Sequence, residues 1–177
     1  KTQTGDPTLE KTLRESKSDT GKTDAYAHTG TASGGDIVEY QIVSTLPTIT
    51  SESTYLTTYT FVDTLSKGLS YAKGDVVLEF FTDSACTDSV AKWTEADGKF
   101  SVAYNSVETG ETMTIAMTQT GLTEINTSKA VYSAADMVNS GYSDLTLRIT
   151  YAAKLDSDNS VVYGDDGNPN QANLTWK

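Results

Sequence analysis

The chain has 177 residues, 37% of them hydrophobic, enough for one large β domain or two small ones. Its formal net charge of −11, from 24 acidic and 13 basic side chains, repels phosphate backbones and argues against nucleic-acid binding. No run approaches the ~18 apolar residues of a membrane helix and no signal peptide opens the chain, while the single cysteine, Cys86, excludes an internal disulfide.

Frequent Thr, Ser, Gly, Tyr and Val, without long Ala/Leu/Glu/Lys tracts, favour strands over helices. Residues 1–8 (KTQTGDPT) read as a linker or tail, and Lys1 as the start of an excised or processed segment. LEKTL (9–13) alternates, with Leu9, Lys11 and Leu13 on one face. The polar stretch 16–35 reads as a loop. DIVEYQIVSTLP (36–47) reads as a strand that shows Val38, Tyr40 and Ile42 on one side and ends at Pro47. LTTYTFVDTL (56–65) places Tyr59, Phe61, Asp63 and Leu65 on one face, and Gly68 permits the turn after it.

Period-two patterns continue in DVVLEFF (75–81), KFSVAY (99–104), ETMTIAMTQ (111–119) and SDLTLRITYAAKL (143–155), with a long loop at 82–98. The last of these strands aligns Leu145, Leu147, Ile149, Tyr151 and Ala153. NTSKAVYSAADMVNSGY (126–142) is the expected short helical insertion, and NPNQANLTW (168–176) puts Asn170, Ala172, Leu174 and Trp176 on one face. Eight or nine strands with no βαβ rhythm, internal repeat or second linker predict an all-β antiparallel sandwich, a single domain over residues 9–177.

One oddity occurs three times: Lys11, Asp63 and Asn170 each occupy a position on an apolar face. Any of them buried alone is costly, above all the two ionisable groups, whereas buried together they form a reactive set. The first and last strands of a sandwich can be spatial neighbours despite their separation in sequence. Desolvation disfavours an ammonium, so an enclosed lysine yields its proton and becomes a nucleophilic amine. An enclosed carboxylic acid keeps its proton and can donate a hydrogen bond to an amide carbonyl, stabilising the oxyanion that develops there. Attack of Lys11 on Asn170 then expels ammonia and leaves an isopeptide bond, with Asp63 shuttling protons in a single turnover.

The segments TLEKTL, GDIVEYQIVSTLP, YTFVDTLSKGLSY and GNPNQANLTW, in this order over roughly residues 8–177, resemble a Gram-positive sortase-assembled pilin, specifically its isopeptide-forming Ig-like domain of the collagen-adhesin B type. The resemblance implies a structural pilus (fimbrial) domain on the extracellular, cell-wall-anchored surface, partnered by other pilin subunits and a pilin sortase. It also implies a self-generated crosslink with the lysine at Lys11, the acid at Asp63 and the asparagine at Asn170. Asn168, two residues earlier on the same face, is the alternative partner, and Asn173 points the other way. Glu79, alternating with Val77 and Phe81, is the alternative acid, and Glu39 reads as surface. No LPxTG-type signal or YPKN-like motif is visible, so the linking lysine is not identified; an interior shaft domain or a truncated adhesin accounts for both. An adhesin domain carrying the same crosslink and binding host glycan or matrix protein is the alternative function.

Other chemistries find no coherent site. The acidic stretch LDSDNSVVYGDDGN (155–168) lacks EF-hand spacing and reads as a solvated hairpin loop. The single histidine, His28, lies in a polar stretch with no G-x-S-x-G elsewhere, and GTASGG (30–35) is not followed by a P-loop lysine. Cys86 has no Cys or His companion. Neither a cofactor nor a metal is expected.

Overall fold

The computed structural model describes residues 3–5, 9–16, 29–33, 37–65, 67–107, 110–128, 140–155, 160–164 and 170–176. They form strands β1 (Gln3–Gly5), β2 (Leu9–Ser16), β3 (Thr29–Ser33), β4 (Ile37–Thr45), β5 (Leu56–Thr64), β6 (Leu69–Tyr71), β7 (Val77–Phe81), β8 (Ser89–Thr94), β9 (Phe100–Val107) and β10 (Gly110–Met117). Helix α1 (Gln119–Thr127) follows, then β11 (Thr146–Leu155), β12 (Ser160–Gly164) and β13 (Asn170–Trp176). One sheet runs β1-β13-β5-β10-β9 and the other β2-β4-β11-β7-β8, with β6 added to the end of β11; β12 and β3 form a separate ribbon. Every pairing is antiparallel.

The sandwich follows from alternation. Val38, Tyr40 and Ile42 of β4, Tyr59 and Phe61 of β5, Met113 and Ile115 of β10, and Leu147, Ile149 and Tyr151 of β11 are all buried in one core between the sheets. Each fully buried side chain of this kind contributes about 1.5–3 kcal/mol. The outward faces differ in chemistry. On the first sheet Thr58, Thr60, Thr64, Thr112 and Thr114 face out, whereas the second carries ion pairs, Arg14–Glu39 at 2.5 Å and Arg148–Glu79 at 3.1 Å. Polar contact also crosses the core, where Ser44 Oγ on β4 lies 3.0 Å from Tyr59 Oη on β5.

Four expectations need correction. The helix lies at 119–127, just upstream of the expected insertion, and residues 129–139 of that insertion fall outside those described. Its sequence, QTGLTEINT, has poor helix propensity; packing of Leu122 and Ile125 and the Thr118 cap, which accepts from Gly121 N at 3.3 Å, override that. A Cβ on Gly121 would stand 2.0 Å from Lys99 O, so only glycine lets α1 approach the backbone just before β9 so closely. Within the expected 82–98 loop lies β8, which buries Trp93. The expected loops at 16–35 and 155–168 each supply a strand, β3 and β12, which pair with one another. Finally, the expected tail contains β1, paired with β13 so that Gln3 faces Trp176.

Candidate functional site

Alternation on β2 and β5 sends Lys11 and Asp63 inward from opposite sheets, and the core encloses both: Lys11 is 6% exposed and Asp63 1%. Lys11 Nζ meets Asp63 Oδ1 at 2.5 Å. Tyr71 Oη on β6 donates to Asp63 Oδ2 at 2.5 Å and lies 3.0 Å from the Asp63 carbonyl oxygen. Both carboxyl oxygens are therefore engaged, by different partners. The ammonium end of Lys11 also sits 4.9 Å from the centroid of the Tyr40 ring, a cation–π contact, and Tyr40 stacks on Tyr151 at 5.1 Å and 7°. Tyr71 and Tyr151 are neighbours at 6.1 Å.

The phenols respond in the direction expected of buried acids. Burial, and after it the Asp63 charge, drives the Tyr71 hydroxyl far above the ordinary tyrosine range, and Tyr151 is raised for the same two reasons in the same order. Both remain protonated donors. Tyr151 Oη has no hydrogen-bond partner among the described residues.

The third predicted residue enters by register. In the β13–β5 pairing Asn170 stands directly opposite Asp63, followed by Ala172 opposite Phe61 and Leu174 opposite Tyr59. Directly opposed residues of an antiparallel pair share a face, so the backbone brings position 170 to the face that holds Asp63. Asn173 is exposed. Asn168 and His28 lie outside the described residues. The alternative acid, Glu79, sits on the outward face of β7 and bonds Arg148 at 3.1 Å, while the core-facing Leu78 and Phe80 flank it. Glu39 likewise faces out, toward Arg14.

β2 and β13 belong to opposed sheets, and β13 pairs with β1 on one side and β5 on the other. Lys11 and backbone position 170 therefore belong to opposed sheets instead of a shared edge. Sequence reasoning placed Tyr40 and Tyr151 on core faces but assigned the tyrosines no part in the site. For Tyr71 the available signal was the alternation of Leu69 and Tyr71 after the Gly68 turn, which marks an inward phenol without naming its partner. Among the described residues no cluster of His, Cys, Asp or Glu is arranged to hold a metal ion.

No protein-family model matches the sequence, and no curated protein matches it. Solved structures do share its fold. The C-terminal domain of the Streptococcus agalactiae AgI/II polypeptide BspA superposes with a TM-score of 0.53 at 20% identity, over 96% of this chain and 49% of that one. The Corynebacterium diphtheriae major pilin SpaA, whose structure points to a modular pilus assembly stabilising isopeptide bonds, gives 0.52 at 14% identity, over 87% and 28%. The fimbrial protein FimP from Actinomyces oris gives 0.51 at 17%, over 84% and 27%. This chain thus spans between about a quarter and a half of each of these structures. At such identities the likeness is one of fold: an Ig-like sandwich of the kind found in pilins.

Proposed function

We propose that this chain is a load-bearing domain of a cell-surface pilus subunit, locked by an isopeptide bond between Lys11 and Asn170 that Asp63 catalyses once. The observation that carries the reading is the buried 2.5 Å contact of Lys11 with Asp63, directly opposite Asn170 in the strand register. An unreacted buried ion pair contributes little net stability against well-packed apolar residues, so its presence in a core calls for another role. The pilin fold of SpaA and FimP supports the structural setting, and with it assembly with other subunits by a pilin sortase on the cell wall.

The chemistry balances with groups the chain supplies. Lys11 passes a proton to Asp63 Oδ1, giving an amine beside a carboxylic acid. The amine attacks the Asn170 side-chain carbonyl carbon, and the Asp63 hydroxyl hydrogen-bonds the developing oxyanion. Asp63 then relays the proton shed by the attacking nitrogen to the amide nitrogen, the carbon–nitrogen bond breaks, and ammonia leaves. The departing ammonia also carries off, as ammonium, the proton that Asp63 first took from Lys11, so Asp63 returns to the carboxylate.

Intact-mass spectrometry tests this. The folded protein should weigh about 17 Da less than its sequence, one ammonia, and Asp63→Ala should restore the full mass. Fragmentation should find the linked peptide joining residue 11 to residue 170; a link to residue 168 would reassign the partner. A wild-type mass equal to the sequence value would remove the crosslink from this reading.

A further inference from the structure

We infer that Tyr71 is a positioning residue for the crosslinking reaction, holding Asp63 so that only Oδ1 handles the proton; this rests on the isopeptide reading above. Tyr71 Oη donates to Oδ2 at 2.5 Å, while Oδ1 faces Lys11 Nζ at 2.5 Å. A carboxyl group is nearly two-fold about its last torsion, so an untethered one presents either oxygen to the lysine and can carry its proton on either. The phenol breaks that symmetry. With Oδ2 committed as an acceptor, the proton taken from Lys11 resides on Oδ1, the same atom that must then offer it to the amide.

Tyr71 is itself fixed from two sides. β6 pairs with β11, Tyr71 opposite Ala153, and the Tyr71 backbone N–H donates to Glu111 Oε1 at 2.9 Å. The placement depends on a crossing of the core. After β5 the chain turns at Gly68, where φ is 96°, and β6 joins the opposite sheet, so a residue only eight positions after Asp63 faces it across the core. Around Asp63 lie Lys11 from β2, Tyr71 from β6 and Tyr151 from β11, with Tyr40 of β4 against Lys11 Nζ, Glu111 of β10 behind Tyr71 and Lys73 3.8 Å from Glu111. Among the hydroxyls, that of Tyr71 makes the direct bond to the carboxyl. Its high proton affinity, from burial first and then from the Asp63 charge, keeps it a donor throughout.

The test follows mass loss with time after unreacted chain is diluted out of denaturant, across a series of pH values. Tyr71→Phe should slow crosslinking by roughly tenfold and move the low-pH edge of the rate profile to higher pH, because a carboxylate deprived of a donor takes up a proton more readily. Tyr104→Phe removes a hydroxyl from a ring 5.4 Å from Tyr71 and should leave rate and profile as in wild type. Melting of Tyr71→Phe in an Asn170→Ala background reads its structural cost separately. If Tyr71→Phe does not fold, fluorotyrosine installed at position 71 preserves the ring and alters the acidity of the donor, and should shift the same profile. Wild-type rate and profile in the folding variant would overturn the assignment of Tyr71 while leaving the crosslink intact. A wild-type chain of full mass would overturn both.

Discussion

At the scale of single residues, the core of this sandwich is unusually rich in titratable groups. Besides Lys11 and Asp63 it holds Tyr59, Tyr71, Tyr142 and Tyr151, each 7% exposed or less and each with its hydroxyl raised above the ordinary tyrosine range, first by burial. In the unfolded chain these phenols ionise near pH 10, while in the folded one they stay protonated beyond it. The folded state therefore binds more protons above that pH, and stability that is complete below about pH 10 is lost as pH rises further. We expect the denaturation midpoint to be flat through neutral pH and to fall above about pH 10, with tyrosinate absorbance from the buried rings appearing together with unfolding; buried rings that titrate freely in the folded protein would contradict this. The buried contact of Lys11 with Asp63 was legible in the sequence because an ionisable residue at inward strand parity stands out among apolar neighbours. Tyr71 was not, because tyrosine at an inward position is ordinary core material, and the bond that makes it more is set by a crossing between sheets.

At the scale of elements, the core strands were legible and the helix was not, for reasons visible at α1. Strands such as β4, β5, β10 and β11 advertise themselves by period two because one face packs and the other meets water. α1 is anchored by contacts that a local pattern does not encode. Glu124 accepts hydrogen bonds from Trp93 Nε1 at 3.0 Å and Tyr142 Oη at 2.5 Å and pairs with Lys99 Nζ at 2.8 Å. Burial opposes the Glu124 charge, yet these partners together hold its carboxyl below the usual glutamate range. Two residues on, the Asn126 side chain takes the place of a strand: its Oδ1 accepts from Leu56 N at 2.8 Å and its Nδ2 donates to Leu56 O at 2.9 Å, pinning the start of β5. Asn126→Ala orphans a buried donor and a buried acceptor, a penalty of about 1–3 kcal/mol for each. Urea titration of that variant in an Asn170→Ala background, free of any crosslink, should show a loss in this range; a change below about 0.5 kcal/mol would mean that water or rearrangement replaces both bonds.

At the scale of the molecule, the terminal strands set the mechanical problem. β1 and β13 are antiparallel neighbours with Gln3 opposite Trp176, so tension applied at these two residues opens their ladder from one end, bond after bond. Hydrogen bonds worth ~1 kcal/mol net, broken one at a time, resist little. The proposed bond lies just inside this ladder and joins the two sheets through the core, from β2 in one to β13 in the other. Load then passes from Lys11 to Asn170 through covalent bonds, and the strands between carry none of it. Closing a loop of about 160 residues also removes unfolded-state entropy, worth about 5 kcal/mol on the loop-closure model used for disulfides, in a chain with a single cysteine. Single-molecule pulling separates these cases. Asn170→Ala should release about 160 residues at ~3.5 Å each, near 560 Å of new contour, when the sandwich unfolds. The wild-type chain should extend only by the residues outside the closed loop and show no such event at any force that spares the backbone. A wild-type trace with the full release would mean that this sandwich bears tension by hydrogen bonds alone.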